Sequence, residues 1–110
     1  MQKRTKKFSI DVIRFYDGVK KTDSIRIIGK QLLRSATSTA ANYRAACIAR
    51  SQAEFFAKMS IVVEEADETI YWLEVLSESE LADSEVLKPL IEEATEISKV
   101  VSKARKNVKR

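Results

Sequence analysis

The side chains of this sequence best suited to binding a cation are four carboxylates in residues 64–68. They are Glu64, Glu65, Asp67 and Glu68, and on a helix their three- and four-residue spacings would bring them to one side. Helical bundles that hold two iron ions also use Glu-x-x-His motifs, and this chain has no His. The sequence therefore favours a solvated or subunit-facing acidic surface over a metal site.

The candidate nucleophiles lack a base that could activate them. Cys47 is the only cysteine, and Ser35, Ser38 and Ser51 are the candidate hydroxyl nucleophiles. Without His the commonest general base is missing, and one cysteine can form neither an internal disulfide nor a thiolate zinc site. We expect Cys47 to be a small buried residue and the protein to be non-enzymatic, with no cofactor and no metal.

Apolar residues recur at three- and four-residue spacing through four segments, which predicts four amphipathic helices at about residues 6–20, 23–48, 51–78 and 84–107. Ser51 and Glu54 match a capping box, whereas Pro89 either delays or kinks the fourth helix. No segment shows the alternation of a strand. The sequence predicts one all-α domain over residues 1–110, an antiparallel up-down-up-down four-helix bundle.

Charge is strongly segregated along the chain. Residues 1–50 carry 12 Lys or Arg and 3 Asp, residues 51–98 carry 2 Lys and 13 acids, and residues 99–110 carry 6 Lys or Arg and no acid. In an up-down-up-down bundle the start of helix 1, the connection between helices 2 and 3 and the end of helix 4 share one end. Both basic termini and the basic connection should therefore meet there, with Lys109 and Arg110 among them.

A concentrated cationic surface is typical of proteins that bind phosphate backbones, because neutralising phosphates releases counterions. Two other interpretations remain open: the basic residues keep the protein soluble, or they meet the acidic helix 3 of another subunit. The predicted nucleic-acid contacts are Lys3, Arg4, Lys6, Lys7, Arg44, Arg50, Lys103, Arg105 and Lys106.

Two aromatic residues, Tyr71 and Trp72, lie at the border of the apolar stripe of helix 3. Such a pair covers the core or enters a subunit interface more often than it stacks on a nucleobase, so we predict an oligomer interface there. The small residues from Ser35 to Ala41 should let a neighbouring helix approach closely.

No apolar run approaches the roughly 18 to 20 residues that span a bilayer. The basic N-terminus is followed by an amphipathic pattern, which differs from the continuous apolar core of a secretory signal. We therefore expect a cytoplasmic protein in which Cys47 is reduced.

A block of residues resembles a known family of bacterial proteins. The block consists of Gln31-Leu32-Leu33-Arg34-Ser35-Ala36-Thr37-Ser38, Asn42-Tyr43-Arg44, Ser51, Glu54-Phe55, Lys58, Glu65-Ala66, Glu68-Thr69 and Tyr71-Trp72-Leu73. Over about residues 8–100 the chain is similar to the four-helix-bundle proteins associated with intervening sequences of bacterial 23S rRNA genes.

The resemblance implies a ring-like homopentamer with no established catalytic residues. A relative in that family is the nucleic-acid-binding accessory protein of reverse transcriptases in diversity-generating retroelements. The segment Asn42-Tyr43-Arg44 follows one branch of the family, but Ala45 stands where that branch often has an acid. A surface function of that acid would be lost or altered in this chain.

From these observations we predict a non-enzymatic, homo-oligomeric bundle that binds RNA or other nucleic acid through a basic pole. The alternative is an oligomeric protein scaffold or accessory subunit without nucleic-acid contact, in which Tyr71, Trp72 and the acidic surface of helix 3 bind a protein partner.

Overall fold

Four α-helices make up most of residues 1–108, the part of the chain that the computed structural model describes. They are α1 (Gln2–Gly18), α2 (Asp23–Cys47), α3 (Gln52–Glu78) and α4 (Ser84–Lys106). No residue in this part belongs to a strand. The predicted all-α class is confirmed.

Side-chain caps fix the starts of the last three helices. Thr22, Ser51 and Asp83 accept hydrogen bonds from amides in the first turns of α2, α3 and α4, at 3.2, 3.0 and 2.9 Å. The carboxylate of Glu54 accepts from the amide of Arg50 at 3.2 Å, one residue before the amide that a capping box uses. These starts follow from local sequence, because each cap satisfies an amide that has no partner inside its helix.

The first helix begins at Gln2, earlier than the apolar pattern predicts, and ends at Gly18. Met1 precedes it without a side-chain cap. Thr5 is buried, and its hydroxyl donates to the carbonyl of Gln2 at 3.1 Å. The helix extends because this polar residue packs into the core, which a pattern of apolar residues does not reveal.

The fourth helix includes Pro89 and does not start late. It begins at Ser84, directly after its cap Asp83. Proline lacks the amide that would donate to a carbonyl one turn earlier, and Pro89 lies exposed on the surface. Solvent can therefore satisfy the carbonyl that the proline leaves without a partner.

The helices form a bundle around one shared core. α1 packs on α2, α2 on α3, α3 on α4, and α1 also contacts α4. The molecule measures 45 × 20 × 18 Å, close to the roughly 40 Å length of a helix such as α3, so the helices lie along its long axis. The largest side chains of the core are Ile25, Leu32, Met59, Leu73, Leu76 and Leu87.

Small residues of α2 allow its neighbours to approach closely. The hydroxyl of Ser9 in α1 donates to the carbonyl of Ala36 at 3.1 Å. On the other side of α2, the hydroxyl of Thr69 in α3 donates to that of Ser35 at 3.0 Å. Ser35 and Ala36 therefore make the close contacts that the composition predicts, whereas Thr37 and Ala41 of the same segment are exposed.

Cys47 is exposed, which corrects the expectation of a buried residue. The buried stripe of α2 ends at Ala46, and Cys47 is the last residue of the helix. One turn earlier, burial raises the pKa of the Tyr43 hydroxyl, and the neighbouring Cys47 thiol raises it further. Within residues 1–108, no helix has an apolar stretch long enough to cross a membrane.

Candidate nucleic-acid interface

Arg4 is paired with a carboxylate of α4. Its Nε and Nη2 atoms donate to the two carboxylate oxygens of Glu93, each at 2.7 Å. This hydrogen bonding raises the pKa of Arg4 and lowers the pKa of Glu93. Arg4 would have to leave Glu93 before it could bind a phosphate fully.

The other cations at the start of α1 divide into one paired and two unpaired residues. Lys7 donates to Asp11 at 2.8 Å, one turn along the helix. Lys3 and Lys6 are exposed and have no carboxylate partner among the described residues. Of the four cations at the start of α1, only Lys3 and Lys6 lack a carboxylate partner within residues 1–108.

Lys3 and Lys6 line an open groove of about 770 Å³ together with Arg44 of α2. Ile10 of α1 and Ala41 of α2 line the same groove. We call it the α1–α2 groove. It combines three cations with an apolar surface, although the residues come from distant parts of the sequence.

A second hollow brings the connection between α2 and α3 to the end of α4. Arg50 and Phe55 line it together with Asn107. Nearby, the guanidinium carbon of Arg105 in α4 lies 5.9 Å from the centroid of the Phe56 ring in α3. This distance is typical of a cation–π contact. Two of the predicted basic segments therefore meet here.

Lys103 and Lys106 lie exposed in the last turn of α4. Cations at this end of a helix interact favourably with its dipole. The α1–α2 groove and the second hollow have no lining residue in common. Lys109 and Arg110 lie outside the described residues.

The two aromatic residues of the predicted oligomer interface differ in exposure. Tyr71 is 55% exposed, whereas Trp72 is partly buried and packs against the core. Their rings meet edge to face, with centroids 4.9 Å apart, and the indole of Trp72 donates to Glu68 at 3.0 Å. Tyr71 is the one available to a partner, because Trp72 is held by its own chain.

An ionic cluster between α2 and α3 was not predicted from the sequence. Arg34 donates to Glu65 at 2.9 Å and also to Glu68. The pKa of Glu68 is lowered mainly by its hydrogen bond from Trp72 and further by Arg34. The sequence shows that α2 and α3 carry opposite charges, which favours ion pairs between them. Which residues pair depends on the rotation of each helix, and the sequence alone does not show this rotation.

The acidic stretch of α3 is divided between two faces of the helix. Glu65 and Glu68 face Arg34, whereas Glu64 and Asp67 are exposed and form no ion pair within the described residues. Nowhere in residues 1–108 do three His, Cys, Asp or Glu side chains group closely enough to hold a metal ion.

Comparison with known proteins identifies the family. Residues 1–103 match the family model described as 23S rRNA-intervening sequence protein. The chain belongs to this family. A solved structure similar to this chain is that of a protein with unknown function from the S23 ribosomal protein family of Bacteroides thetaiotaomicron VPI-5482. The two are 33% identical, with a TM-score of 0.85, and the match covers 96% of this chain and 98% of the relative. No curated protein matches the sequence.

Family membership confirms the resemblance identified from the sequence. The family name associates these proteins with 23S rRNA intervening sequences. The segment Asn42-Tyr43-Arg44, which carries part of the resemblance, lies on α2. Its Arg44 side chain lines the α1–α2 groove.

Proposed function

We propose that this protein is a non-enzymatic, homo-oligomeric bundle that binds RNA or another nucleic acid through phosphate contacts. The observation that carries the proposal is the second hollow, where Arg50 of the connection between α2 and α3 lies beside the end of α4. The binding surface, here called the basic pole, consists of Lys3, Arg4, Lys6, Lys7, Arg44, Arg50, Lys103, Arg105 and Lys106.

The proposal includes an up-down-up-down order of the helices, which brings these segments to one end. The contacts between α3 and α4 support this order. Ser77 near the end of α3 lies 3.1 Å from Ser84 at the start of α4, and Arg105 near the end of α4 lies over Phe56 near the start of α3. The contact of Ser9 with Ala36 is consistent with α1 and α2 running in opposite directions.

Phosphate binding is the chemistry that such a surface supports best. Exposed Lys and Arg residues bind a phosphate backbone electrostatically and need no contact with bases. The Lys and Arg residues of the basic pole are therefore sufficient for electrostatic affinity for a phosphate backbone. The family name, which associates these proteins with rRNA, supports RNA as the first ligand to test.

The test measures binding of a short RNA hairpin as a function of salt concentration, after removal of nucleic acid from the purified protein. The variant Lys103→Gln/Lys106→Gln should lower the slope of log K against log salt by about one unit for each lost phosphate contact. Lys88→Gln serves as the matched control, because Lys88 is an exposed cation near the start of α4.

Two results would contradict the proposal. One is the absence of hairpin binding at low salt. The other is an equal loss of slope per removed charge in Lys88→Gln and in the variant of the basic pole, which would show that net charge alone matters.

A protein-binding scaffold is the second candidate, and the exposure of Tyr71 favours it. Aromatic side chains left on a surface are enriched at protein interfaces. In this case a partner protein would be recovered with the bundle from nuclease-treated lysate, and Tyr71→Ala would lose it without changing hairpin binding.

A further inference from the structure

The outward face of α3 forms a continuous strip that no other part of residues 1–108 covers. Its residues recur at three- and four-residue spacing, and all of them are exposed. Four carboxylates in the strip form no ion pair within the described residues. Two large apolar side chains, Ile61 and Tyr71, are 39% and 55% exposed. This acidic strip consists of Ala57, Ile61, Glu64, Asp67, Tyr71, Glu74 and Glu78.

The α1–α2 groove has the opposite character. Its cations Lys3, Lys6 and Arg44 have no carboxylate partner within residues 1–108, and its exposed Ile10 offers apolar surface. Lys3 lies in the first turn of α1, which contains no acidic residue, and a cation at the start of a helix is disfavoured by the helix dipole. Lys3 therefore does not stabilise its own helix, and neither Lys3 nor Lys6 has a carboxylate partner within residues 1–108, which favours a role in binding something outside the chain.

The two surfaces are also of comparable length. The strip from Ile61 to Tyr71 extends about 15 Å along α3, and the wall of the groove from Lys3 to Ile10 extends about 10 Å along α1. A ridge on one helix fits the groove between two others in helix-in-groove recognition. Charged partners would then surround a small apolar centre, as in protein interfaces generally.

We propose that the acidic strip of one copy docks into the α1–α2 groove of a second copy. Glu64 and Asp67 face Lys3, Lys6 and Arg44 across this interface, and Tyr71 is the aromatic anchor against Ile10. The contact joins two different surfaces, so each copy uses its strip on one neighbour and its groove on another. Such head-to-tail contacts build rings or filaments, not simple two-fold dimers.

This inference rests on the proposal that the protein is a homo-oligomer. It also reduces the set of cations that are available to bind nucleic acid. Lys3, Lys6 and Arg44 become interface residues in the assembly. The phosphate contacts then come mainly from the connection between α2 and α3 and from the end of α4. The two roles are separable, because they use different cations of the basic pole.

The experiment uses two charge-reversed variants, Glu64→Lys/Asp67→Lys and Lys3→Glu/Lys6→Glu. Mass is measured by light scattering over a concentration series of nuclease-treated protein, so that nucleic acid cannot bridge the copies. Each variant alone should need about tenfold or more higher concentration to assemble than the unmodified protein. A third variant that carries all four changes should regain assembly, because each reversed strip then meets a reversed groove whatever the number of copies.

Matched controls distinguish this interface from a general effect of charge. Glu92→Lys and Lys30→Glu change exposed residues outside the strip and the groove, and they should assemble like the unmodified protein. Circular dichroism should show all variants to be folded, because the changed side chains are exposed and unpaired.

The outcomes separate this interface from the rest of the proposed function. An unmodified protein that stays monomeric overturns both the interface and the homo-oligomeric proposal. Assembly that is indifferent to both reversals, or a variant with all four changes that fails to assemble, overturns the interface alone. Loss of hairpin binding in the test of the basic pole leaves the result of this experiment unchanged.

Discussion

At the scale of single residues, a neighbouring aromatic ring leaves no room for a side chain at Gly29. A Cβ at this position would lie 2.5 Å from Cδ1 of Tyr16 and closer still to Cε1. The ammonium of Lys21 lies 4.4 Å from the ring centroid and donates to the carbonyl of Val19 at 2.9 Å, so a shift of the ring would weaken this contact. Gly29 therefore sets how closely α1 approaches α2.

We predict that Gly29→Ala lowers the free energy of unfolding by up to about 2 kcal/mol, because overpacking costs about 1–3 kcal/mol and the gain in helix propensity returns about 1. Gly18→Ala is the control, since a Cβ there meets nothing within 4 Å, and it should be neutral or stabilising. In a Tyr16→Ala background the cost of Gly29→Ala should disappear in urea denaturation. A cost that persists there would show that the ring is not its cause.

At the scale of helices, Arg34 and its carboxylates join α2 to α3 across the surface. Arg34 donates to Glu65 and Glu68, and Trp72 donates to Glu68 as well. These bonds lower the pKa of Glu68 below its ordinary value, with the Trp72 bond as the largest cause. Glu68 therefore stabilises the folded protein when it is deprotonated, and this stabilisation is lost when the carboxyl is protonated.

This contribution depends on pH in a definite direction. A carboxyl whose pKa is lower in the folded state stabilises the protein fully above its unfolded pKa of about 4.3, and the contribution is lost as pH falls through the folded pKa. Below pH 4.3, the unfolding free energy of Glu68→Gln should therefore fall less steeply with acidification than that of Glu64→Gln. Equal slopes in the two variants would contradict a role for the cluster.

Local sequence predicts the helices well where it also supplies their caps. Ser51 caps α3 as its spacing with Glu54 predicts, and α4 starts at its cap in spite of Pro89. The start of α1 was harder to predict because its contribution to the core there is Thr5, a polar residue. The periodicity is that of apolar residues, so it does not reveal a buried hydroxyl residue such as Thr5, which donates a hydrogen bond within its own helix.

At the scale of the whole molecule, charge counts predict which segments are basic but not which cations are free. Arg4 and Lys7 belong to the same basic segment as Lys3 and Lys6, yet each has a carboxylate partner. Glu93, the partner of Arg4, is 89 residues away in the chain. Its position opposite Arg4 depends on how α1 and α4 pack and rotate, which a single sequence does not show.

The same packing predicts which part of the molecule opens first. α1 is the shortest helix, and it packs on α2 and, less extensively, on α4, whereas α2 and α3 share the most extensive contact. Local opening follows contact density, so α1 should detach before the rest of the bundle unfolds. We predict that amides near the middle of α1, such as that of Val12, exchange hydrogen about tenfold or more faster than those near Val62 of α3.

The measurement is hydrogen exchange under native conditions on the Glu64→Lys/Asp67→Lys variant, in which the proposed docking of a second copy cannot protect α1 and α1 itself is unchanged. Exchange in α1 should then be nearly independent of low urea concentrations, because detaching one helix exposes less surface than global unfolding. Uniform protection of Val12 and Val62, with the same urea dependence, would show that the four helices open only as one unit. In the unmodified protein, protection of α1 that rises with protein concentration would connect this local stability to the α1–α2 groove.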